Sequence, residues 1–108
     1  MIYTEVMHTD AGFYGITNPA GDVDFYPNGG ATMPGCGDRN CNHHQCIFYM
    51  AESLQRGGFT GRRCDNLNAA LSGNCSGGTL RMGGTAAKTG QFGFYWLRTN
   101  ANSPFSQG

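Results

Sequence analysis

The sequence predicts a small α/β unit, rich in loops and stapled by disulfides. Three observations carry that expectation. One segment, residues 43–56, has helical spacing and stands among strand-like segments at 3–9, 23–26 and 92–99. Glycine supplies 18 of the 108 residues, more than twice the usual ~7%. Five cysteines include two closely spaced pairs, Cys36/Cys41 and Cys64/Cys75, which suggest short disulfide loops and an oxidising compartment. Cys46 is left over, and five reduced thiols in a cytosolic protein are the competing reading.

The elements follow in order. Residues 3–9 mix β-branched and aromatic side chains, with apolar positions at Val6 and, less regularly, at Ile2 and Met7. Gly12, Gly15, Asn18 and Pro19 mark a loop over 10–21. A short strand at 23–26 runs into the turn cluster Pro27-Asn28-Gly29-Gly30, and 32–41 reads as loop. In the helix, Ile47, Met50, Ala51 and Leu54 fall on one face. Asn42 is the expected N-cap, with Gln45 completing a capping box, and Gly57-Gly58 supplies the stop. Residues 59–66 look irregular, 66–71 allow one helical turn, and 72–90 are rich in glycine and small residues. The final strand alternates, with Phe92, Phe94 and Trp96 on one face and Gly93, Tyr95 and Leu97 on the other. Residues 100–108 form a polar tail.

Composition narrows the function classes. Leu, Ile, Val and Phe make up roughly a sixth of the chain, below the roughly one-fifth typical of globular domains. Seven Phe, five Tyr and Trp96 argue against a disordered tail. A chain of this size should bury about two-thirds of its surface. The composition therefore favours part of a larger fold, whose other portion supplies the rest of the core, over a self-sufficient disulfide-stapled domain. Net charge is zero and no basic run extends beyond Arg62-Arg63, so nucleic-acid binding has no electrostatic support. No apolar run approaches the ~18–20 residues of a membrane span. Met1-Ile2-Tyr3-Thr4 lacks the basic start and apolar core of a signal peptide. Secretion would require an export signal outside this chain.

His43 carries the chemistry. Placed in the first turn of the helix, it meets the positive end of the helix dipole, which disfavours imidazolium and leaves the ring able to accept a proton. A carboxylate partner would stabilise the imidazolium once formed, as a general base in acyl transfer requires. The bland alternative is a surface histidine at a helix start, and a lone histidine favours it.

The surrounding motifs reverse that preference. The segment from Tyr3 to Asp10 resembles the strand written Val-Ile-His-Thr-Asp or -Asn in pancreatic-type lipases. Gly21-Asp22-Val23-Asp24-Phe25-Tyr26-Pro27-Asn28-Gly29-Gly30 is similar to that family's Gly-His/Asp-x-Asp-Phe-Tyr-Pro-Asn-Gly-Gly. Cys41-Asn42-His43 resembles the Cys-Ser/Asn-His that carries the catalytic histidine, and Ala51-Glu52-Ser53-Leu54 matches the helix that follows. Arg98-Thr99-Asn100 and Ser103-Pro104-Phe105 resemble the closing segments. The matches run in order along the whole chain. Asp22, where mammalian members have His, looks more like the arthropod branch.

The resemblance implies the carboxyl-terminal part of an α/β-hydrolase catalytic domain, comprising the last strands and the histidine-bearing helix. His43 would be the base, with His44 as runner-up. Asp10, Asp22 and Asp24 would be structural, because the family's acid lies upstream. No Gly-x-Ser-x-Gly elbow exists here, so the nucleophile too would come from a missing amino-terminal half of the same fold. In the family the lid cysteines are bridged; here only Gly37, Asp38, Arg39 and Asn40 separate Cys36 from Cys41. In the resemblance, so short a lid goes with phospholipid hydrolysis more than with strict triacylglycerol hydrolysis. No cofactor is implied, and the partner is a lipid substrate or lipid interface outside the cell.

Two further readings compete. Yolk-type members of the superfamily keep the fold without the triad. Independently, Cys36, Cys41, His43, His44 and Cys46 could hold zinc, although their spacing is wrong for a Cys-x-x-Cys knuckle. Asn74-Cys75-Ser76 is formally a glycosylation sequon whose middle residue is an expected disulfide cysteine.

Overall fold

In the computed structural model, residues 3–12 and 18–108 are described. They form β1 (Glu5–Met7), β2 (Val23–Pro27), α1 (Arg39–Arg56), β3 (Phe59–Cys64), α2 (Leu67–Ser72), β4 (Thr79–Met82) and β5 (Gly93–Leu97). The strands build one mixed sheet in the order β1-β2-β5-β3-β4. β1, β2 and β5 run parallel, while β3 pairs antiparallel with both β5 and β4. The strand latest in sequence is thus the central one.

Alternation along the strands divides the molecule into two cores. Val23 and Phe25 of β2, with Tyr95 and Leu97 of β5, point to one face and pack with Phe59, Met82 and Tyr49 of α1. Tyr26, Phe94 and Trp96 point to the other face and pack with Cys64 and Ala70 of α2. β2 is buried at all five positions, as a parallel strand covered on both faces requires. On the second face, α2 ends at Gly73, whose N–H donates to Ala69 O at 2.8 Å. A Cβ there would stand 2.7 Å from the Trp96 ring, so only glycine allows this approach.

Several expectations need correction. The segment 59–66, expected to be irregular, contains β3, and the glycine-rich stretch contains β4. β1 is shorter than the expected 3–9. Phe92 precedes β5 and is exposed. Residues 100–108 do not trail: Ser106 pairs with Thr99, and Gly108 O accepts from Thr60 N at 3.0 Å. Ile2 and Gly15 lie outside the described residues.

The helix departs most. It starts at Arg39, not near His43, and its N-cap is Asp38, whose side chain accepts from Cys41 N at 2.9 Å. Asn42 is already helical. The buried face consists of Asn42, Gln45, Tyr49, Glu52 and Ser53. The apolar face is turned outward, with Ile47 60% and Leu54 54% exposed. It flanks an apolar groove of about 550 Å³ against Val6 and Met7 at the sheet edge.

Candidate functional site

The start of α1 is fixed from three sides. Asp38 caps it, a disulfide joins Cys36 to Cys41, and Asn42 Oδ1 accepts from Met33 N at 2.7 Å. Of the four residues between the cysteines, Arg39 and Asn40 are the first turn of the helix and Asp38 is its cap. Only Gly37 is free of the helix start, and a Cβ on it would meet nothing within 4 Å. This corrects the expected four-residue loop. Cys64 and Cys75 form the second bridge, tying β3 to the segment after α2. Cys46 is the free thiol.

With the helix beginning at Arg39, His43 sits one turn deeper than expected. Its side chain is exposed on one side and lines a cavity of about 170 Å³ on the other. The opposite wall is His8, Thr9 and Asp10, the residues that leave the carboxyl end of β1. In open sheets with parallel strands, this is the end at which sites form. Cys46, one turn after His43, completes the rim and donates its S–H to His43 O at 3.5 Å. His44 does not line the cavity. Its Nδ1 faces Asn40 O at 2.7 Å within the helix, and its ring meets that of His43 edge-on at 5.6 Å.

The three candidate acids separate by position. Asp22 Oδ2 accepts from Thr4 N at 2.9 Å and pins the loop before β2. Asp24 is buried under a cluster that sequence reasoning missed. His8 Nε2 lies 2.6 Å from Asp24 Oδ2, and Asp24 also accepts from Ala20 N and Gly21 N. The His8 ring stacks on Tyr26 at 4.2 Å, within 5° of parallel. With its ring covered and its carboxylate partner buried, His8 ties β1 to β2 while forming part of the cavity wall. Asp10, also buried, is the one of the three that lines the cavity with His43. The signal for His8 was present in the motif Met7-His8-Thr9-Asp10, but its partner is sixteen residues away.

Among the described residues, no serine lines the cavity opposite His43. Ser53 is buried in α1, donating to Met50 O and accepting from Gly84 N. Cys36 and Cys41 are committed to a disulfide, so the five-residue zinc set does not assemble. Among the described residues no group of three or more His, Cys, Asp or Glu could hold a metal. No helix among them is long and apolar enough to cross a membrane.

A mixed sheet with three parallel strands, a helix-borne histidine beyond the carboxyl end of β1 and a disulfide at the start of that helix make up the candidate site. Comparison with known proteins gives the family. The family model for Lipase matches residues 2–105, and the chain belongs to the lipase family. It is 33% identical over 140 residues to the pancreatic triacylglycerol lipase of Myocastor coypus, covering 97% of this chain and 31% of the relative. It is 28% identical to lipase member H of Oryctolagus cuniculus, over 87% of this chain and 23% of the relative. Vitellogenin-2 of Ceratitis capitata is 36% identical over 109 residues, covering 97% of this chain and 26% of the relative. The chain therefore spans less than a third of the length of these relatives.

Proposed function

We propose that residues 1–108 are the carboxyl-terminal portion of an α/β-hydrolase catalytic domain in an extracellular carboxylic-ester hydrolase, with His43 as its general base. The carrying observation is the placement of His43 at the carboxyl end of the parallel strands, across a small cavity from His8, Thr9 and Asp10. An imidazole held there can take a proton from a serine hydroxyl during attack on an ester carbonyl and return it to the leaving alcohol. The serine and the triad acid come from the amino-terminal portion of the same domain. That portion also covers the apolar face of α1 and the groove beside it. The two disulfides support an oxidising destination.

The substrate is a phospholipid more than a triacylglycerol. The bridged turn before α1 is too short to form a mobile apolar cover, so the site stays open to polar headgroups. The match to the pancreatic lipase extends over 140 residues where this chain has 108, so that relative carries additional residues inside the matched span. The matches to vitellogenin-2 and to lipase member H extend over only 109 and 104 residues. The second reading, carried by the likeness to vitellogenin-2, is a yolk-type protein that keeps the fold without catalysis.

The experiment is done on the full-length protein with a soluble short-chain ester. His43→Ala should lower turnover by on the order of 10⁴-fold or more, while His44→Ala should be mild. If His44→Ala were the crippling change, the base assignment would be wrong. Absence of any turnover by the full-length protein would favour the storage reading. A sharp rate rise when the ester passes its solubility limit, with triacylglycerol preferred, would overturn the open-site reading while leaving His43 as base.

A further inference from the structure

A second concave region lies on the α2 face of the sheet, built from residues that the hydrolase reading does not use. Two adjoining grooves of about 440 and 340 Å³ share Trp96, Arg98 and Gln107. The first crosses the antiparallel strands and is lined also by Arg62, Thr60 and Thr79. Pairing explains the grouping. Arg62 is the register partner of both Trp96 and Thr79, so these side chains share one face.

The electrostatics are one-sided. The chain has equal numbers of acidic and basic residues, yet no Asp or Glu lines either groove. Among the described residues, no carboxylate is paired with Arg62 or Arg98. Arg62 spends one donor, Nη1, on Gly77 O at 2.9 Å and keeps the rest of its guanidinium available. Arg98 lies over the Trp96 ring at 5.3 Å, which holds its planar fork in place. Thr60 Oγ1 accepts from Arg81 at 2.6 Å, leaving its O–H to donate elsewhere. Two oriented guanidinium groups, hydroxyl donors and a primary amide around one hollow form a receptor for a tetrahedral oxyanion.

We propose that this groove binds the phosphate of a phosphate ester, held by Arg62 and Arg98 with Trp96 as its floor. The site is separate from His43 and does not rest on the hydrolase reading.

Trp96 forms part of both grooves, so its indole N–H resonance reports them directly. The full-length protein is titrated in phosphate-free buffer with inorganic phosphate. In parallel it is titrated with phosphatidylcholine vesicles, with and without phosphatidic acid. A saturable change with inorganic phosphate assigns a soluble phosphate as sufficient. A change only with phosphatidic acid vesicles assigns the lipid headgroup as the source. Arg62→Gln and Arg98→Gln should each weaken the response about tenfold or more, as expected for a lost charged hydrogen bond. Arg56→Gln, on the exposed end of α1, should bind as the parent does. Amide NMR shifts at Thr60 and Gln107 provide a readout that removing Arg98 from the indole does not disturb, and Arg98→Lys serves if the Gln variant unfolds. Absence of a response to either probe, or equal binding by the parent, Arg62→Gln and Arg98→Gln, would overturn the proposal.

Discussion

Glu52 shows how one side chain can hold a segment that has no regular structure. It is buried in α1, and its two carboxylate oxygens accept from Phe105 N at 2.6 Å and Ser106 N at 2.8 Å. The polar tail is thereby ordered over the helix, and Phe105 reaches the Tyr49 ring at 5.5 Å. Glu52→Ala leaves two amide donors without their acceptor. It should destabilise the chain by about 1–3 kcal/mol and raise hydrogen exchange at Ser106, both measurable on the folded protein. Normal exchange at Ser106 would show that the tail is held by something else. Asp24 is the more demanding case, since it serves His8 and two backbone amides at once. Asp24→Ala leaves the buried His8 ring and two backbone amides without their acceptor and should cost about 3 kcal/mol, and denaturant titration checks it.

At the scale of the element, α1 is amphipathic with its apolar side outward. That predicts a sign. Ile47→Lys and Leu54→Lys should change the stability of this chain by no more than about 0.5 kcal/mol, because both side chains are already in water. In the full-length protein, where the amino-terminal portion is proposed to cover them, the same changes should destabilise strongly. Thermal melts of both proteins test the contrast; equal small effects in the two would mean that the face stays open.

The helix also marks the limit of what the sequence reveals. Its existence and its apolar spacing were legible, since periodicity is local. Which face is buried was not legible, because that depends on what lies beside it. Its start was misplaced because Asp38 and Asn42 are both good caps, and only tertiary contact turned Asn42 inward to Met33. β3 escaped notice because Phe59-Thr60-Gly61-Arg62-Arg63-Cys64 hides its alternation. Gly61 occupies a core position where a Cβ would stand 2.8 Å from the Phe25 ring. At the site, His43 stood out from a contiguous motif, but the cavity beside it joins two distant segments and was not legible. The His8–Asp24 pair joins two strands, and nothing in either segment alone signals it.

For the molecule as a whole, the buried phenols set an alkaline limit. Burial raises the pKa of Tyr26, aided by the neighbouring Asp24 charge, and burial raises that of Tyr49 against the opposing bond to Thr99. Tyr3 is raised by burial and then by its bond to Glu5. In the unfolded chain these groups ionise near pH 10. The folded state holds their protons longer, so their contribution is fully present below that pH. It is lost as pH rises from there toward the higher folded values. The melting temperature should therefore fall above about pH 10, together with a delayed tyrosinate absorbance rise that completes only on unfolding. Tyrosines titrating normally in the folded chain would contradict this.

The strand order has a consequence for synthesis. β5 is the latest strand in sequence and sits between β2 and β3. Until Gly93–Leu97 leaves the ribosome, the other four strands of this sheet are two separate pairs, each exposing a raw inner edge. Exposed edges of that kind pair readily with other chains. Closure of this sheet is therefore held back until residue 97 has been made. During that closure Asn28 and Thr99, 71 residues apart, meet beside Tyr49. A translational pause just before residue 93 would leave these strand pairs most vulnerable to aggregation and most dependent on chaperones.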